Sequence, residues 1–153
     1  MKDLIRKIIK EETTKYSSPE EIIAATIASE AAGEGELGMR AVAHVIKNRA
    51  TEKYNASDPK SMKKVVLKPY QFSGWNDVNK ESIMDITKKV DFFKKKYKSV
   101  WDKALEIAKN PGQNPIGSRN HYYNPKKASP SWGSNESFLK TKKQIGNHLF
   151  GKI

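Results

Sequence analysis

The sequence predicts a mainly α domain of the α+β class, with a substrate groove and one or two short strands or irregular aromatic-rich segments. Three observations predict it. Apolar residues recur at helical spacing in several separate stretches, most clearly over 19–33 and 37–51. Helix starts and stops are written into the chain at Ser18-Pro19, Gly33, Pro69 and Asn110-Pro111-Gly112. Between them lie polar, aromatic stretches with neither helical nor strand period, at 70–79 and 110–133. A length of 153 residues fits one domain and suffices for a core without metal or disulfide staples.

The chain opens with MKDLIRKIIKEETTKY, in which Leu4, Ile5, Ile8 and Ile9 recur at helical spacing. Residues 1–16 are therefore expected to form an amphipathic helix packed on a domain spanning 17–153. The alternative, a membrane-surface helix, is opposed by Glu11 and Glu12. The longest apolar run here is two residues, against roughly 7–15 in a signal peptide, so no signal peptide is expected. No stretch is apolar and long enough for a transmembrane span. Ser18, Pro19 and Glu21 supply a cap, a first-turn proline and a capping-box glutamate. The helix they start runs through IIAATIASEAA and should stop at Gly33.

A glycine-rich corner follows, GEGELG. A second helix is expected over 37–51, with Met39, Val42, Ala43, Ile46 and Ala50 facing inward. Residues 55–59 read as a loop and 62–67 as a short helix stopped by Pro69. The stretch 70–79 reads as loop or short strand. A helix is expected over 94–110, with Tyr97, Val100, Trp101, Ala104, Leu105 and Ala108 on one stripe. Four of the seven prolines fall between there and Gly133, and such long irregular segments tend to carry function. A last helix is expected over 136–149.

Composition narrows the chemistry. There is no Cys, which excludes disulfides, Cys-ligated zinc, iron–sulfur clusters and thiol catalysis. The balance of 29 Lys+Arg against 17 Asp+Glu, a net charge of +12, biases the protein toward polyanions. Nucleic acid, an anionic membrane surface and an anionic cell-wall polymer all qualify. No phosphate loop and no GxSxG elbow is present. His44, His121 and His148 have no second ligand at i+3 or i+4, so no metal and no cofactor is expected.

Glu30 is the first candidate catalytic group. With Ile23 and Ile27 it stands at i, i+4 and i+7, on the apolar face of its helix and near the C-terminus. Burial and the helix dipole both disfavour its charged form, which suits a proton donor. The alternative is a solvated carboxylate at the helix edge. Glu34 lies four residues on, and is either a second carboxylate coupled to Glu30, raising the pKa of one of the pair, or a loop residue beyond Gly33. Two aromatic segments supply candidate binding residues: Gln71, Phe72, Ser73 and Trp75, and His121, Tyr122, Tyr123 and Asn124, followed by Trp132. Aromatic faces among amides and hydroxyls suit sugar rings, and also stacked bases. The alternative is core packing, expected for Phe72 and at least one tyrosine. The run Lys94-Lys95-Lys96 reads as a solvated face.

Taken together, IASEAAGEGELGMRAVAHVIKNRA resembles the opening signature of the SleB/CwlJ-type cell-wall hydrolases, with Glu30, Ala31, Gly33 and Glu34 ahead of Asn48-Arg49. VVLKPYQFSGWN resembles that family's Gln-Phe-Ser block at Gln71, Phe72 and Ser73. HYYNPKKASPSWG resembles its His-Tyr-x-Asn-Pro block at His121, Tyr122, Asn124 and Pro125, with Trp132 beyond, and IGNHLF its closing segment. Four ordered blocks over about 20–150 make the resemblance specific. Two features depart from it: Ser29 stands where many members have Gly, and the stretch VDFFKKKYK belongs to none of the blocks.

The resemblance implies a lysozyme-like fold and cleavage of the peptidoglycan glycan between N-acetylmuramic acid and N-acetylglucosamine. It implies a lytic transglycosylase with one essential Glu, carried here onto Glu30. A muramidase would need a second carboxylate, for which Glu34 and Asp77 are the candidates. The implied partner is the glycan strand, with anionic wall polymers drawn by net charge and no specific nucleic acid. A non-catalytic wall-binding module is the alternative. The expected setting is a protein made in the cytoplasm and acting on the wall, as a phage-released or virion-associated lysin with a virion partner, or as a spore-associated enzyme.

Overall fold

The computed structural model describes residues 16–153. The N-terminal helix expected over 1–16 falls outside them, apart from its last residue. Six helices and a small sheet follow in order, and the first helix is the centre of the molecule.

Helix α1 (Pro19–Ala31) begins as the sequence requires: the Ser18 hydroxyl accepts from the Glu21 N–H and the Glu21 carboxylate accepts from the Ser18 N–H. Its residues Ile22, Ile23, Ala24, Ala25, Thr26, Ile27 and Ala28 are all buried, so it is apolar around its whole circumference. Such a helix must be enclosed on every side. It is packed by α2 (Gly35–Tyr54), α3 (Pro59–Leu67), α4 (Ile83–Lys96) and α5 (Trp101–Lys109). Full burial of Ile23 and Ile27 contributes about 1.5–3 kcal/mol each.

Helix α2 has two apolar faces. Met39, Val42, Ala43, Ile46 and Ala50, the expected inner face, join the helical core. Ala41 and Val45 instead pack with Ile116, Ile145 and Phe150 under the sheet. That sheet is antiparallel in the order β1 (His121–Tyr123), β3 (His148–Gly151), β2 (Lys143–Ile145), with Tyr122 opposite Phe150 and Ile145 opposite His148. A short helix, α6 (Glu136–Thr141), seats the fully buried Phe138 beside it.

Two expectations are corrected here. The helix expected over 136–149 stops at Thr141, and a hairpin follows, giving three strands rather than one or two. Gly146-Asn147 between the paired Ile145 and His148 is a two-residue turn, with φ 57° at Gly146 as a type II′ turn requires. The helix expected over 94–110 is two helices, broken at Tyr97 (φ −109°, ψ 34°). The first of them, α4, begins at Ser82, whose hydroxyl accepts from the Asp85 N–H. The stretch VDFFKKKYK, which belongs to none of the family blocks, is part of the core: Val90 and Phe93 are buried, and Phe93 lies against both Trp75 and Tyr97. Lys94, Lys95 and Lys96 are exposed.

The one polar residue in the middle of α1, Thr26, is fully buried and doubly used. Its hydroxyl donates to the Ile22 carbonyl at 2.9 Å and accepts from the Trp75 indole N–H at 2.9 Å. The second bond pins the 3-10 turn Ser73–Trp75 to the central helix. Thr26→Val keeps the shape and orphans the indole N–H, so urea unfolding should show a loss of about 1–3 kcal/mol. An unchanged unfolding midpoint and slope would remove this bond from the fold's supports.

Candidate active site

The last turn of α1 opens into a groove of about 1140 Å³. Glu30, one residue before the end of the helix, lies on its wall with Glu34. Gln71, Phe72 and Ser73 line it from the segment before the Ser73–Trp75 turn, and His121, Tyr122, Tyr123 and Asn124 from β1. Nine of the ten residues named from sequence thus meet in one place.

The tenth, Trp75, does not. It is fully buried, donates to Thr26 and packs edge-on against Phe93. It supports the groove from beneath rather than lining it. Phe72 is core in substance too, only 2% exposed, with the Arg49 guanidinium 5.5 Å over its ring. Asp77 lies off the groove and pairs with Lys89 at 3.1 Å, so it is corrected as a second-carboxylate candidate.

The Asn48-Arg49 pair on α2 explains how the irregular chain before β1 reaches the groove. Asn48 Nδ2 donates to the carbonyls of Gly117 and Arg119, at 2.9 and 2.8 Å. Arg49 Nε donates to the Asn120 carbonyl at 2.6 Å. The buried Asn120 side chain donates to the Glu52 carboxylate and the Ile153 carbonyl, and accepts from the Ile153 N–H and His121 Nδ1. His121 and Tyr122 therefore enter the strand from a fixed point. His44, buried in the same helix, donates from Nε2 to the Gly112 carbonyl at 3.1 Å and is kept neutral by burial.

Three cations and several aromatic faces complete the walls. Arg49, Lys126 and Lys127 line the groove, as do Tyr70, Tyr97 and Trp132. Trp132 meets His121 and Tyr123 edge-on, at centroid distances of 5.0 and 5.4 Å. Tyr70 stands at the rim, 86% exposed. The sequence reading missed Asn147 and His148 as groove residues, although IGNHLF already stood out as a block. Seen as a Gly-Asn turn, it would have placed them on a hairpin tip. Ser29, where the block departs from pattern, donates to the Thr26 carbonyl at 3.0 Å. A Cβ on Gly74 would sit 3.2 Å from the Ser29 hydroxyl, so glycine allows the Ser73–Trp75 turn to lie directly on α1.

The two carboxylates differ sharply. Burial pushes Glu30 above the ordinary carboxyl range, opposed by a hydrogen bond from the Tyr122 hydroxyl and by the Arg49 charge. Tyr122 is itself driven well upward, first by burial and then by the neighbouring Glu30 charge, so its phenol stays protonated and donates. For Glu34, burial raises the pKa but loses to bonds from Asn147 and the charges of His148 and Lys127, and the net shift is downward. Its Oε2 accepts from the Asn147 N–H and its Oε1 from Asn147 Nδ2, both at 3.1 Å, with His148 Nδ1 3.7 Å away. Of the two readings of Glu34, the structure places it beyond the end of α1 at the start of α2, and burial, Tyr122 and Arg49 are what shift Glu30. The site thus shifts its two carboxyls in opposite directions, Glu30 toward the acid and Glu34 toward the anion. Among the described residues, no three His, Cys, Asp or Glu side chains converge as metal ligands.

Comparison with known proteins gives a consistent picture. A family model described as Cell Wall Hydrolase matches residues 33–151, a span that begins just after Glu30. The chain is similar to the catalytic domain of the germination-specific lytic transglycosylase SleB from Bacillus anthracis. The two are 27% identical, with 91% of this chain and 98% of that one covered, at a TM-score of 0.56. It is similar also to the catalytic domain of the Bacillus cereus SleB protein, at 29% identity, 91% and 94% coverage and a TM-score of 0.51. Both neighbours are lysozyme-like, as is the mainly helical fold described here. No curated protein matches the sequence.

The raised pKa of Glu30 has a consequence for stability. A carboxyl whose folded pKa lies above its unfolded value contributes fully below the unfolded pKa and progressively less as pH rises through the folded one. Replacing it by the neutral amide removes that penalty. Glu30→Gln is therefore expected to unfold at higher temperature than the parent at pH 7, and the gap should close as pH falls through the ordinary carboxyl range. Equal unfolding temperatures at pH 7 would contradict the burial argument.

Proposed function

The chain belongs to the SleB/CwlJ-type cell wall hydrolase family and is a peptidoglycan-cleaving enzyme, and we propose that it acts as a lytic transglycosylase with Glu30 as its general acid and base. The observation that carries the reading is the opposite treatment of the two groove carboxylates. Burial pushes Glu30 above the ordinary carboxyl range, whereas each oxygen of Glu34 accepts a hydrogen bond from Asn147 and Glu34 is shifted downward. A hydrolase that inverts or retains needs a second carboxylate, free to activate water or attack the sugar. With Asp77 paired elsewhere and Glu34 engaged, the groove favours a mechanism with one.

In this mechanism the glycan strand lies along the groove with the muramic acid–glucosamine linkage at Glu30. Glu30 gives its proton to the bridging oxygen as the bond to the muramic acid anomeric carbon breaks. The glucosamine leaves as the alcohol and an oxocarbenium-like centre remains. The muramic acid 6-hydroxyl attacks that carbon, and Glu30, now a carboxylate, takes its proton. The product is a 1,6-anhydro ring and the enzyme is returned to its starting state. The hydrogen bond from Tyr122 and the charge of Arg49 support the carboxylate form of Glu30. Trp132, Tyr123 and His121 offer faces for sugar rings, and Gln71 and Ser73 offer polar groups for N-acetyl and hydroxyl substituents.

Glu30→Gln should lower turnover of purified peptidoglycan at least about a hundredfold while the fold persists. Near-parental activity would sink the assignment. Mass spectrometry of the parent enzyme's products should show 1,6-anhydro-muramic ends; reducing ends would establish a hydrolase instead. Intact protein that binds walls and releases nothing would mark a binding module. The net charge of +12 adds a further expectation: wall clearing should fall steadily as salt is raised past about 0.1 M. Clearing that ignores salt would detach the charge from wall association.

A further inference from the structure

We infer that Glu34 is a positioning residue, which holds the Tyr122 side chain beside Glu30 in the groove by clamping the Gly146-Asn147 turn of the β2–β3 hairpin. The inference rests on the reading of Glu30 as the acid, and assigns Glu34 a part in the reaction without contact with the reacting atoms.

The connections form a closed circuit. Glu30 ends α1, and Glu34 follows four residues later on the same rigid corner. The Glu34 carboxylate receives both the backbone and the side-chain N–H of Asn147. Gly146 is required at this contact twice over. Its φ of 57° disfavours any side chain, and a Cβ there would collide with Glu34 Oε2. The turn begins β3, whose first residue, His148, meets the Tyr122 ring edge-on at 5.3 Å. Two residues on, Phe150 stacks on the same ring at 5.3 Å and pairs with Tyr122 across the β1–β3 ladder. Tyr122 then returns to Glu30 through its hydroxyl. One carboxylate thus sets the hairpin, the hairpin sets the phenol, and the phenol meets the other carboxylate.

The sign of one shift separates this role from a direct one. Glu30 is faced by Tyr122 from β1 and Arg49 from α2; Glu34 is faced by His148 and Asn147 from the hairpin and by Lys127. The remaining titratable groups on the groove wall or beside it are His121, Lys126, Tyr70, Tyr97, Tyr123 and, behind Arg49, Glu52. Any direct through-space effect of the Glu34 charge could only raise the pKa of Glu30, so its removal could only lower that pKa or leave it unchanged. Releasing the Tyr122 hydroxyl acts in the opposite sense, because that bond holds the pKa down. The basic limb of the pH–rate profile, where Glu30 loses its proton, reads the difference.

The experiment uses the full chain and soluble glycan fragments. Glu34→Gln, Tyr122→Phe and the double variant are measured for kcat, KM and pH profile, with Asn147→Ala as a fourth protein that leaves every carboxylate in place. The expected result is a kcat loss of up to about a hundredfold in Glu34→Gln with KM little changed. Its basic limb should move to higher pH, Asn147→Ala should follow it, and the double variant should be no worse than Tyr122→Phe. A basic limb that moves down or stays, or losses that multiply in the double variant, would overturn the positioning role and return Glu34 to the list of direct participants. Failure of the underlying reading looks different: Glu30→Gln would then keep its activity, whatever the other variants do.

Discussion

A helix with no polar face dictates the layout of this protein. α1 buries residues on all sides, so four other helices must surround it, and between its first turn and its last every residue from Ile22 to Ala28 is buried. A functional group on such a helix has one place to emerge, the end. Glu30 occupies that position, still close enough to the core to be desolvated and far enough along to meet the groove. The raised pKa follows from the packing that makes the fold stable. Where the fold comes from enclosing α1, the chemistry comes from the point at which enclosure stops.

The groove walls are irregular chain, which has no internal ladder to hold it. Side-chain bonds to backbone supply what regular structure would have supplied. Asn48 and Arg49 bind three successive parts of the segment before β1, and Asn120 ties that segment to the C-terminal residue. On the opposite wall, Thr26 and Trp75 join the Gln71–Ser73 region to the central helix. These are buried or half-buried polar groups in which every partner is satisfied, and among the described residues no buried side-chain nitrogen or oxygen is left without one. In a low-dielectric setting satisfied networks of this kind specify a single geometry.

Two glutamates four residues apart are chemically identical and physically opposite. Glu30 is inside a helix end, with one donor and one distant cation; Glu34 is beyond the corner, with two amide donors and two basic neighbours. Local environment, not residue type, decides which is pushed toward the acid and which toward the anion. The divergence depends on the hairpin tip arriving over Glu34, which brings residue 147 against residue 34. Nothing nearer in the chain supplies those donors.

By itself the sequence determined the helical frame around α1. The Ser18 capping box, the apolar face of α1 through Ile23 and Ile27 and the inner stripe of α2 are local signals, and local signals survive folding because they involve residues within a turn or two of each other. It also determined which residues assemble, since nine of the ten named from their blocks line one groove. The errors fall where the deciding contact is distant. The segment 142–151 contains residues that tolerate helix, and only pairing with β1 makes it a hairpin. Trp75 looks like its aromatic neighbours in sequence, and only the buried Thr26 hydroxyl shows that it faces the core. Asp77 and Glu34 read alike as spare carboxylates until Lys89 and Asn147 claim them. Side-chain direction and protonation are set by partners tens of residues away, and tertiary structure alone brings those partners into contact.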